Sequence, residues 1–223
     1  MKHAAELFFR ITLLAFTLFI WLWALDQSFS NTINLSIIVG SMLLVFPIVW
    51  LGRMILDRQP TTSRATWITI FVHYAMVILF GIAIIRAVTT HHDWSGWILP
   101  VPTEIGLLSV IITGAAALFS VINLALKGLG APFAIALSEK LAVDWMYAWT
   151  RNPMVLSTLA LLLSLGIWFQ SAFFVLWVLI LFTPALLVFV KAYEERELEI
   201  RFGASYLEYK SRTPMLFPRK PRG

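Results

Sequence analysis

The chain has 223 residues, 60% of them hydrophobic and only 13% charged, with a mean hydropathy of +0.83 and a formal net charge of +5. Soluble domains carry about 45–50% apolar and 25% charged residues, so this composition excludes an ordinary soluble enzyme and specifies a membrane protein. With no cysteine, disulfides, thiolate metal centres and a cysteine nucleophile are excluded as well.

The first apolar run, Leu7 to Leu25, follows Lys2 and Arg10 and could imitate a secretory signal. No small-residue cleavage site follows, and Asp26-Gln27-Ser28-Phe29 leads straight into a second run, Ile33 to Leu51, so the first reads as a retained span. Trp67 to Val88, Glu104 to Leu126, Met154 to Gln170 and Ala172 to Val190 complete six runs, each near the ~20 residues that cross hydrocarbon as a helix. The expected fold class is therefore all-α integral membrane, with about six transmembrane helices and a cytoplasmic C-terminal amphipathic helix and tail. One domain covers residues 1–223: four spans within 1–126, then a polar part over 127–223 built around a helical hairpin at 154–190.

Lysine and arginine set the orientation, because short cytoplasmic segments hold the positive excess. Of the seventeen basic residues only Arg86 falls near the opposite face, which places both termini in the cytoplasm of a bacterial inner membrane or an endoplasmic reticulum membrane. The net positive charge follows from this topology and from attraction to anionic lipid heads. The basic residues of the tail are dispersed among acidic and aromatic ones, with no nucleic-acid reading motif.

Within the spans, His73 and Asn123 fall in the inner-leaflet parts of the third and fourth helices, where polar groups face a cavity or bond across helices. Pro184 is expected to kink the sixth span, freeing a carbonyl and widening a cavity beneath Glu194. His91-His92-Asp93 reads as an outer-face loop, since adjacent histidines diverge and no further ligand lies near; no metal site is expected.

Polar residues concentrate at 127–153 and after Val190. Gly128-Leu129-Gly130 lets backbone approach a ligand, but it lacks the strand and third glycine of a dinucleotide fingerprint. Arg151-Asn152-Pro153 opens the fifth span with proline in the first turn, where its missing N–H costs nothing; it reads equally as a capped helix start and as a ligand-facing helix terminus. Glu194 and Glu195 directly follow a span, where carboxylates are costly unless solvated or paired, and either accept from ribose hydroxyls or an ammonium or begin a solvated acidic helix. Beyond them, Leu198, Phe202 and Tyr206 recur every four residues, and Glu197 with Arg201 forms an i,i+4 pair. Gly203 weakens this helix, and Pro214, Pro218 and Pro221 end regular structure. On periodicity alone the tail is an amphipathic helix on the membrane surface.

Taken in order, Gly128-x-Gly130, Tyr147, Arg151-Asn152-Pro153-Met154, Glu194-Glu195, Leu198, Phe202-Gly203, Tyr206, Tyr209 and Pro214 resemble the C-terminal signature of the integral-membrane methyltransferases. That group includes isoprenylcysteine carboxyl methyltransferase and the phospholipid N-methyltransferases. The resemblance covers roughly Lys127 to Pro218 and implies S-adenosylmethionine as cofactor at the cytoplasmic face. It carries over Tyr147, Asn152, Pro153, Met154 and Glu194 as cofactor contacts, with Gly128, Gly130 and Glu195 as secondary ones. Arg151 and Tyr206 shape or close the pocket. A lipophilic acceptor, either a prenylcysteine-like carboxylate or a lipid amine, would enter sideways from the bilayer past His73, Asn123 and Lys191.

The catalytic residue is not named by the motif; Arg151 and Glu195 are the candidates, with Glu195 as a base if the acceptor is an amine. Three departures stand out. Val155 replaces a common tyrosine, and Asp144-Trp145-Met146-Tyr147-Ala148 replaces a frequent Gly-Pro-(Tyr/Phe)-Arg. The arginine that prenylcysteine enzymes place ahead of the glutamates is absent, Val190 and Lys191 occupying that region. A non-catalytic membrane subunit that retains the fold is the competing reading. The sequence sets no oligomeric state.

Overall fold

A computed structural model describes residues 2–94, 96, 98–128 and 140–221, and these fold as an all-helical bundle. The elements are α1 (Lys2–Asp26), α2 (Asn31–Arg58), α3 (Thr62–Thr90), α4 (Thr103–Gly128), the single turn α5 (Met146–Trp149), α6 (Pro153–Trp168), α7 (Ala172–Phe202) and α8 (Ala204–Arg212). Ser30 caps α2 by accepting from the Ile33 amide, and Thr61 caps α3 by accepting from that of Arg64.

Among the described residues five helices, α1, α2, α3, α4 and α7, are long and apolar enough to cross a membrane. The expected fifth span is shorter than the rest: α6 has 16 residues, about 24 Å at ~1.5 Å per residue against ~30 Å of hydrocarbon. Its two ends are held by protein. Pro153 is buried at one end. At the other, the turn at Phe169-Gln170-Ser171 does more than reverse the chain: Gln170 accepts from the Leu99 amide and its side chain donates to the Val101 carbonyl at 2.8 Å.

The core lies where α2, α3 and α7 meet, through Met42, Val45 and Val49 against Met76, Phe182 and Tyr193. Here α4 packs instead along α6, and α1 along α3. Both outer pairs need a close approach. A Cβ at Gly106 would lie 2.5 Å from the Trp168 Cα, and one at Gly81 would lie 2.3 Å from the Trp21 indole. Large apolar residues such as Phe8, Trp50, Ile111 and Ile180 remain exposed, as a lipid-facing surface requires.

Arg86 is buried, and its cost is met without a carboxylate. Its guanidinium donates to Asn34 Oδ1 at 2.9 and 2.6 Å and to the carbonyls of Ala24 and Gln27 at 2.8 and 2.9 Å, with its centre 5.3 Å over the Phe29 ring. This knot ties the α1–α2 connection to α3. His91–Trp94 forms a 3-10 turn, with His91 stacked on Phe169 at 4.1 Å. Among the described residues no cluster of three metal-ligating side chains exists.

Around Pro184, α7 departs from regular geometry in the way a missing N–H demands: a π-helical turn, Val178–Phe182, directly precedes it. A second π-helical turn, Phe189–Glu194, ends at the first glutamate. The wider turns re-aim the following side chains. The tail is not a separate surface helix, because α7 runs on to Phe202, and Glu195 and Glu197 are buried on it. Gly203 breaks the helix at φ 55, a conformation glycine adopts without a Cβ clash, and α8 then turns back with Tyr206 buried.

Candidate functional site

One cavity of about 440 Å³ runs between the α3 and α6–α7 sides of the bundle. Its mouth is polar, lined by Tyr147, Arg151, Asn152, Glu194, Glu197 and Arg201. Farther along α3 and α7 the lining turns apolar, through Met76, Phe80, Phe182 and Leu186, and ends near Trp21 and Ile84. The volume lies within the ~300–1,000 Å³ typical of small-molecule sites.

Two segments distant in sequence make the mouth. Arg151 Nη2 donates to Glu195 Oε1 at 2.7 Å, and Lys210 Nζ donates to Glu195 Oε2 at 2.7 Å and to Glu199 Oε1 at 3.0 Å. Both oxygens of Glu195 are therefore taken. The tail after α8 ties down the 149–152 segment as a strap: Pro214 O accepts from the Arg151 amide at 2.9 Å, and Met215 O accepts from the Thr150 hydroxyl and from Asn152 Nδ2 at 3.1 and 2.9 Å. The Arg219 amide donates to Trp149 O, and the Tyr209 hydroxyl to Tyr147 O at 2.6 Å.

Glu194 differs from its neighbour. Its carboxylate lines the cavity, and among the described residues it has neither a hydrogen-bond nor an ion-pair partner. Unpaired carboxylates are expensive away from water, so this one is placed for a ligand or solvent. Glu197 and Arg201, which the sequence presents as a surface pair, instead meet at 2.9 Å inside the cavity wall with the Glu197 side chain 3% exposed. Burial, followed by the charge of Glu194, pushes the Tyr147 phenol up; burial does the same for Tyr206 and Tyr209. All three stay neutral hydrogen-bonding groups at neutral pH. Burial acts to lower Lys210, but its bonds to Glu195 and Glu199 outweigh it and hold the ammonium up.

Tyr147, Asn152, Met154, Glu194, Tyr206 and His73 all line the cavity, and Pro153 sits buried in the first turn of α6 beside it. Arg151 lines it too, locked to Glu195. Glu195, the glutamate expected as a base, is held by two cations. Asn123 is not brought to the cavity: its Oδ1 accepts from the Met146 amide at 3.1 Å and so supports α5. Lys191 is exposed on α7 and absent from the lining. Gly128 ends α4, and Gly130 lies outside the described residues.

Sequence reasoning missed the inward direction of Glu197, Arg201 and Tyr209. The signal was the repeat Glu194, Glu197, Arg201, one face of a helix continuing the last span. The altered segment before Arg151 keeps a glycine-like backbone, with Trp145 at φ 54 and its indole stacked on Phe119 at 5.8 Å.

The chain is thus an all-helical integral membrane protein with a polar-mouthed, apolar-floored cavity. The phospholipid methyltransferase family (PEMT) model matches residues 102–205, and over that segment, from the start of α4 into α8, the chain is similar to that family. No curated protein and no solved structure matches the chain.

Proposed function

We propose that the protein transfers a methyl group from S-adenosylmethionine to a lipophilic acceptor at the cytoplasmic membrane face. The observation that carries the reading is the partnerless carboxylate of Glu194 sharing one cavity with Asn152. The residues fit the cofactor's chemistry. Glu194 would take its ammonium or ribose hydroxyls, and the orphan amides in the first turn of α6, beside Asn152 and Pro153, suit its carboxylate. Tyr147 and Tyr206 supply flat, neutral walls for the base.

When bound, the cofactor supplies an activated methyl on a sulfonium, so no metal or triad is needed. The chain's task is to hold the acceptor in line and exclude water, which contributes on the order of 7–11 kcal/mol. The Arg151–Glu195–Lys210 cluster and the strap over residues 147–152 fix the mouth for this purpose. The apolar floor would receive the acceptor's hydrocarbon.

The test is calorimetry with S-adenosylhomocysteine in detergent, followed by radiolabelled methyl transfer into lipid extracts. Micromolar binding and a labelled lipid support the reading. Folded protein that neither binds nor transfers makes it a non-catalytic subunit.

A further inference from the structure

Within the same cavity one group is unaccounted for. His73 lines it at the boundary between polar mouth and apolar floor, with its ring edge-on to Phe189 at 5.2 Å and Tyr193 at 6.3 Å. Its Nδ1 lies 3.0 Å from the Thr69 carbonyl. A carbonyl only accepts, so Nδ1 carries the proton and Nε2 keeps its lone pair. Among the described residues Nε2 has no hydrogen-bond partner. A histidine serving only to staple α3 would bury that second nitrogen in apolar contacts or bond it across a helix interface; this one borders open cavity.

The other candidate bases are engaged. Both oxygens of Glu195 are held by Arg151 and Lys210, and Glu197 is held by Arg201. Glu194 is the group proposed to bind cofactor. From the helices packed on α3, the ionisable neighbours are Tyr193, Glu194, Glu197 and Arg201 of α7, Arg10 of α1, whose carbonyl accepts from Tyr74, and Arg53 of α2, bound to Asp57 and the Ala192 carbonyl.

We infer that His73 is the general base of the reaction when the acceptor is an amine, with the Nε2 lone pair presented to it by the Nδ1–H bond to Thr69. This rests on the methyl-transfer reading. The acceptor arrives as an ammonium, since aliphatic amines have pKa values near ~10. Nε2 takes one proton, and the N–H electron pair returns to nitrogen. That pair then forms the N–CH3 bond while the S–CH3 bond breaks, its electrons staying on sulfur to leave a neutral thioether. The imidazolium returns its proton to water at the mouth. A carboxylate acceptor needs no such step.

The test uses the full chain in detergent, with phosphatidylethanolamine as the amine probe and a farnesylcysteine derivative as the carboxylate probe. His73→Gln and His73→Phe are compared with the parent, and unchanged S-adenosylhomocysteine binding shows the site intact. Amine methylation by the parent should level off well below the amine's own pKa. In both variants it should fall about 10²–10⁴-fold and climb without a plateau toward the amine's own pKa. Nitrogen-15 histidine spectra of the ligand-free parent, with the His73 signal assigned by its loss in the variants, should show the Nδ1-protonated tautomer. An Nε2-protonated ring, or variants that keep the plateau, would overturn the inference while leaving methyl transfer standing. Transfer to the carboxylate alone also overturns it. A parent that binds no S-adenosylhomocysteine and methylates neither probe defeats the underlying reading as well.

Discussion

Arg151, in the connection just ahead of α6, and Glu195, 44 positions on in α7, meet at 2.7 Å with their side chains 9% and 7% exposed. A buried pair of this kind is a poor source of net stability, yet removing one member strands the other. Glu195→Ala is therefore expected to destabilise the protein by about 3–5 kcal/mol, with Arg151 left uncompensated. The Arg151→Met/Glu195→Leu double variant should recover much of that loss. Thermal unfolding in detergent checks both.

Glu194→Gln should behave in the opposite way. Its carboxylate has no protein partner to lose, so stability is expected to stay within about 0.5 kcal/mol of the parent. Cofactor affinity should drop at least tenfold, about 1.4 kcal/mol, as calorimetry with S-adenosylhomocysteine would record. An unchanged affinity would remove Glu194 from the cofactor site.

Removal of the chain after Thr213 takes away the acceptors that Pro214 and Met215 offer to residues 150–152. The spans are expected to remain folded while the mouth loosens. Hydrogen exchange should increase at residues 147–152 and stay unchanged in α2 and α3. Asn152→Ala, which deletes one of these bonds, should cost about 1 kcal/mol.

Trp145→Gly tests whether the altered segment is still competent. A non-glycine residue at φ 54 carries strain of order 1–3 kcal/mol, set against its stacking on Phe119. The variant should retain cofactor binding within a few-fold. Loss of binding would mean that the indole itself, rather than the backbone it occupies, shapes the mouth.

Much of the architecture is legible in the sequence because the bilayer imposes a simple demand: Leu7–Leu25 or Trp67–Val88 has no alternative to a helix of that length. Pairing Arg151-Asn152-Pro153 with Glu194-Glu195 was legible from motif order. What each side chain does there was not. Two adjacent glutamates differ only through three-dimensional neighbours, one clamped by Arg151 and Lys210 and one left open. The end of α6 was set two residues late because Phe169 continues the apolar pattern into the turn. Glu197 and Arg201 looked solvated because an i,i+4 pair has the same spacing on an inner face as on an outer one.

The strap made by Pro214, Met215 and Arg219 follows the described helices in the chain, so the ribosome makes it after the segment that it binds. Until then residues 149–152 lack these acceptors and donors, and docking of the strap is a step that follows synthesis of α6 and α7. A fusion partner joined close behind Arg219 would burden that step more than one placed ahead of α1.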